Sequence, residues 1–141
     1  MADVGAPRIV PALHELSALP TPLNAGEAAT LGALTCLGPD WHVFVQPRVA
    51  MAQPDFVAVY PQKGVYVIEV KDWSPELYRA SGPSGGRWIE VFNGEHWIQR
   101  VSPRKQLASY EKTFRERFSV GFTGAWAPST ALRALPVLPR F

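Results

Sequence analysis

Three residues offer this sequence its clearest chemistry: Asp55, Glu69 and Lys71. In Gly64-Val-Tyr-Val-Ile-Glu-Val-Lys71 an extended chain alternates its side chains, so Val65, Val67, Glu69 and Lys71 share one face and Tyr66, Ile68 and Val70 the other. A carboxylate and an ammonium ending an otherwise apolar strand lose hydration, and each then needs the other, water or a metal. An ion pair at the edge of a core meets that need as well as a reactive site does. Asp55 alters the balance. It follows Pro54 at the mouth of the preceding strand-like run, and the turn signal Pro61-Gln-Lys-Gly64 folds the two runs into a hairpin that carries this mouth toward Glu69 and Lys71. Apposed carboxylates repel and hold a proton unless a cation lies between them. The arrangement therefore favours a hard divalent ion with oxygen ligands, magnesium or manganese.

The elements that must position these groups are legible in local patterns. Asn24-Ala-Gly-Glu27 has capping-box spacing, and Ala28, Leu31, Leu34 and Leu37 recur at helical intervals, which predicts a helix over 25–37 ended by Gly38-Pro39. Residues 41–49, 56–60 and 64–73 are β-branched and aromatic runs bounded by proline and glycine, so three strands follow one helix. Ser81-Gly-Pro-Ser-Gly-Gly86 reads as a flexible loop, and Asn93-Gly94 between 87–92 and 96–101 predicts an accessory hairpin. Ser102 is placed to cap, and Pro103 to open, a second helix running to Phe118 with Leu107, Tyr110 and Phe114 on its buried face. Residues 134–141 read as the start of a last strand. Prolines at 7, 11, 20 and 22 make 1–23 an N-terminal arm on the surface, with order beginning at Asn24 and one domain over 24–141.

Gln53-Pro-Asp55 followed by Glu69-Val-Lys71 resembles the PD-(D/E)xK nuclease signature. Together with Asn24-Ala-Gly-Glu27, Phe56 after Asp55, Asp72-Trp73 after Lys71, and Pro103-Arg-Lys-Gln106, these motifs resemble the nuclease-related domain family over residues 20–141. The resemblance implies an α/β fold with a restriction-endonuclease-like core: a mixed sheet flanked by helices in αβββαβ order, here with the accessory hairpin. It implies that Asp55, Glu69 and the backbone carbonyl of Val70 ligate the metal and that Lys71 positions or deprotonates the attacking water. Glu27 matches an acidic residue that the superfamily carries on its first helix, reaching the metal directly or through water, although as the third residue after Asn24 it equally completes a capping box. Gln106 and Tyr110 form a Gln-x-x-x-Tyr pattern similar to one in nuclease domains of bacterial recombination helicases. Gln106 would contact substrate or metal-bound water, and Tyr110 would either face the site or pack in the core. Arg100, Arg104 and Lys105 would bind phosphates or form a solvated face, and Trp73, Trp88 and Trp97 would stack unpaired bases or pack within the fold.

Bulk properties bound these readings. At 141 residues there is room for one core, and 47% hydrophobic with 18% charged residues argues against extended disorder. With a net charge of only +2, nucleic-acid binding must come from a local basic cluster. Cys36 is the only cysteine, which excludes a disulfide framework or a cysteine-ligated cluster within one chain and suggests a buried thiol. His14, His42 and His96 stand at no metal-ligand spacing, which disfavours a histidine-based nuclease. The proline-broken N-terminal stretch lacks the continuous apolar run of a signal peptide or membrane span, so the protein is read as cytoplasmic. The expectation is a Mg/Mn-dependent phosphodiesterase, a deoxyribonuclease acting in DNA processing or defence against foreign DNA. It would be the N-terminal part of a longer protein, fused to or associated with a helicase or other DNA-processing domain. The alternatives are a non-catalytic nucleic-acid-binding or scaffold module with the same fold and, from exposed aromatics alone, a protein-interaction domain.

Overall fold

The computed structural model describes residues 5–61, 63–71, 74–80, 88–118 and 132–137. Strand β1 (Arg8–Val10) and a 3-10 turn (Leu13–Ala18) precede helix α1 (Ala25–Leu34). Strands β2 (His42–Val45), β3 (Phe56–Tyr60) and β4 (Gly64–Val70) follow, then a second 3-10 turn (Pro75–Leu77) and strands β5 (Tyr78–Ala80), β6 (Trp88–Phe92) and β7 (Trp97–Val101). Helix α2 (Pro103–Phe118) and strand β8 (Leu132–Val137) complete the order. The main sheet runs β1-β2-β3-β4-β8 and is mixed: β2, β3 and β4 are antiparallel, while β1 and β8 lie parallel to their neighbours. A parallel partner for β4 requires a long crossover. That crossover contains α2 and a second, three-stranded antiparallel sheet in the order β5-β6-β7.

The alternation predicted for β4 separates two cores. Ile68 and Val70 join Val43, Val45, Phe56, Ala58 and Leu31 on the α1 side of the sheet, with Tyr66 packed against them. Val67 joins Val57, Leu107 and Phe114 on the α2 side, with Val65 and Tyr110 alongside. The sheet is thus sandwiched between two helices, and only the α2 layer receives the face that carries Glu69.

Several boundaries differ from expectation. The first helix stops at Leu34 rather than near 37, and the first long run yields only His42–Val45, because Gln46 takes a positive φ of 47° ahead of Pro47. Order does not wait for Asn24, since β1 from the proline-rich arm pairs with β2. Cys36 lies just past the helix, off the Leu31 core position, and is exposed rather than buried. The β5 strand was not expected, whereas the hairpin of β6 and β7 was, with Gly94 at a φ of 102° in its turn. The loop expected at 81–86, together with Trp73 and residues 138–141, falls outside the described residues.

Candidate functional site

The register of β3 against β4 pairs Phe56 with Ile68 and Val57 with Val67. One step further along the same ladder sets Asp55 across from Glu69, both on the α2 face, where cross-strand neighbours lie about 5 Å apart at Cβ. A hydrogen bond fixes this end of the hairpin: the Val70 amide donates to Asp55 Oδ2 at 2.6 Å. The Asp55 carbonyl also accepts from the Gln46 amide at 2.8 Å, tying the loop before β3 to the end of β2.

Glu69 is buried, at 5% exposure. Its Oε1 accepts from Lys71 Nζ at 2.5 Å and from Gln106 Nε2 at 2.7 Å, whereas its Oε2 is buried with no hydrogen-bond partner. Gln106 reaches it from α2, which Ser102 caps by accepting the Lys105 amide at 3.2 Å. One turn on, the Tyr110 hydroxyl accepts from Gln106 Nε2 at 2.8 Å and donates to the Gln53 carbonyl at 3.4 Å. The two placements weighed for Tyr110 are not exclusive. Its ring packs on the α2-side core, and its hydroxyl links α2 to the loop that carries Asp55.

Burial dominates the electrostatics of this cluster. Burial, the neighbouring charge of Glu69 and the more distant charge of Glu27 push the Asp55 carboxyl from its ordinary 3.8 up to about 7, against the opposing effects of the Val70 amide and Lys71. Burial also raises the Tyr110 hydroxyl, with the carboxylates adding to the effect. A cation beside Asp55 and the orphaned Glu69 oxygen would relieve both strains, so the donor set present suits a hard, oxygen-seeking ion.

Glu27 does not reach this set through a hydrogen bond. Its Oε2 accepts from the Asn24 amide at 3.0 Å while its own amide donates to Asn24 Oδ1 at 2.8 Å, closing the capping box at the head of α1. Among the described residues no three His, Cys, Asp or Glu side chains gather around a common point. Glu27 thus closes the capping box that its position also allowed, and it makes no hydrogen bond to Asp55 or Glu69 among the described residues. Its charge is nonetheless felt at Asp55.

Beside the carboxylates opens a cleft of about 540 Å³ between β7 and α2, where Lys71, Arg100, Lys105, Gln106 and Tyr110 face one another. Arg104, exposed like Arg100 and Lys105, is absent from that lining. Lys105 also lies over the Trp88 ring, 5.0 Å from its centroid, and Arg79 over Trp97 at 4.1 Å, so both described hairpin tryptophans are engaged within the fold. Two further wall residues, Val101 and Ser109, were not singled out from the sequence. Ser109 could have been found, since it lies three residues beyond Gln106 on the same helical face.

No helix among the described residues is long and apolar enough to cross a membrane. No curated protein and no solved structure matches the chain. A family model described as the nuclease-related domain does match, over residues 23–137, from the residue before the Asn24 cap to the last position of β8. That span contains every element that builds the carboxylate pair, and the chain belongs to the nuclease-related domain family.

Proposed function

We propose that this domain is a magnesium- or manganese-dependent deoxyribonuclease with a restriction-endonuclease-like αβββαβ core. The reading rests above all on Glu69: a buried carboxylate with one oxygen shared by Lys71 and Gln106 and the other orphaned beside Asp55, whose own carboxyl is pushed up by burial and by Glu69. In this proposal Asp55, Glu69 and the Val70 carbonyl hold the ion, and Glu27 contributes charge from the second rank. The bound ion would neutralise charge on the phosphate and lower the pKa of the attacking water. Lys71, held beside Glu69, would receive or stabilise the charge and proton of that water. Gln106, held from two sides by Glu69 and Tyr110, would orient the water or a phosphate oxygen, and Lys105 would bind the phosphate chain next to it. Arg104, exposed on the first turn of α2, would add a peripheral phosphate contact.

One observation favours a module that binds DNA without cutting it: the Glu69–Lys71 pair partly neutralises the buried carboxylate from within the chain. A single experiment separates the two readings. Circular and linear DNA are incubated with magnesium, manganese or chelator and resolved on a gel. Cutting that needs either metal is the expected result, and the circular substrate shows whether a free end is required. DNA retained in a shift assay but never cut would replace the nuclease with the binding module, and equal cutting in chelator would remove the metal from the mechanism.

A further inference from the structure

We propose that the cleft between β7 and α2 is built for an unpaired DNA strand, so that the substrate is single-stranded or frayed DNA rather than intact duplex. The inference rests on the nuclease reading for its cutting step and on the cleft itself for strand preference. Three observations support it.

The first is size. About 540 Å³ lies within the roughly 300–1,000 Å³ of clefts that hold small ligands, which is room for an unstacked nucleotide and its phosphates. The second is charge. Lys71, Arg100 and Lys105 line the cleft, the described lining includes no Asp or Glu, and no ion pair holds Arg100 or Lys105 among the described residues. The third is the apolar part of the wall. Val101, exposed on the wall with Tyr110 beside it, gives a base an apolar surface to rest on, and a base can use it only when it has left its own stack. Cationic tracking of the backbone combined with an apolar platform is how proteins hold single strands without reading sequence.

The accessory sheet thereby acquires a role. It supplies Arg100 and Val101 as the wall facing α2, opposite Lys105 and Tyr110.

The test uses the wild-type domain in chelator, so that nothing is cut, with a labelled oligothymidylate and a blunt duplex of equal length as probes. The single strand is expected to bind at least about tenfold tighter. Replacing both Arg100→Ala and Lys105→Ala should weaken its binding about 10- to 100-fold and flatten the dependence of log K on log salt by about 1.4, or about 0.7 for each phosphate no longer neutralised. Arg100→Lys with Lys105→Arg should restore most of the affinity, and thermal melts of both variants check that the fold is intact. Duplex bound as tightly as single strand, or unchanged single-strand binding in the folded double alanine variant, would overturn the proposal. Metal-dependent cutting of duplex in preference to single strand would overturn it while leaving the nuclease reading in place. Selective single-strand binding with no cutting in any metal would do the reverse.

Discussion

The orphaned oxygen of Glu69 and the raised carboxyl of Asp55 make separable predictions at the scale of single residues. Asp55→Asn or Glu69→Gln removes ligand charge, so both divalent binding and cleavage should be lost together. Lys71→Ala leaves the oxygens in place, so metal binding should persist or tighten while cleavage falls about 100-fold or more. Melts with and without magnesium read binding independently of turnover, because an ion that binds only the folded state stabilises it by about 2.7 kcal/mol at a hundredfold excess over Kd. The pH dependence follows from Asp55, whose pKa rises from 3.8 to about 7 on folding. A raised carboxyl means that the folded state binds more protons in this window. Its contribution to metal-free stability is therefore complete below 3.8 and disappears as pH climbs through about 7. Denaturant titrations of metal-free protein across that range should show the decline, and Asp55→Asn should flatten it. Stabilisation by magnesium should run the other way, growing as pH rises through about 7 because the ion must displace that proton.

At the scale of elements, the two helices make different contributions to the same site. Glu27→Gln can preserve the capping box, since glutamine also serves at that position, while removing the charge felt at Asp55. Its expected effect is a stability change within about 0.5 kcal/mol and a downward shift of the pH at which magnesium begins to bind, followed by calorimetric titration at several pH values. Loss of magnesium binding at high pH would instead return Glu27 to the ligand set. Ser102→Ala removes the cap of the helix that carries Gln106 and should cost about 1 kcal/mol in a denaturant melt. Both caps were legible in sequence, as were the hairpin of β3 and β4 and the Asn93-Gly94 turn, because each depends on neighbours a few residues apart. What local pattern could not reveal was set by distant partners. Strand β1 exists because β2 offers an edge to a proline-rich arm, and β5 because β6 offers one to a short segment. The exposure of Cys36 reflects where α1 ends against the sheet, not the apolar character of its surroundings. Of the site, Asp55, Glu69 and Lys71 were visible through strand period and one turn. The cleft was legible only in part: Arg100 and Lys105 stood out together as basic neighbours, but Lys71 joins them only once the main sheet is set beside α2.

For the molecule as a whole, the order of the parts in the chain matters as much as their place in space. Asp55, Glu69 and Lys71 all precede the accessory sheet, while Gln106 and the cleft wall on α2 come after it. Strand β8 pairs Val65 with Leu132 across the longest connection in the main sheet. Contacts of such separation form late, because a long loop must close before they return any stabilisation. Substitutions in β8 should therefore act mainly by speeding unfolding, whereas equally destabilising changes in the β3–β4 hairpin should slow refolding, a difference that stopped-flow measurements resolve. During synthesis, a ribosome-bound chain that has emerged only through residue 80 would already hold both carboxylates and yet leave β4 as an open edge with no opposing wall. Under the proposed nuclease reading, such a chain would have its ion ligands before it had a strand-binding wall, and cleavage would become possible only once α2 had emerged.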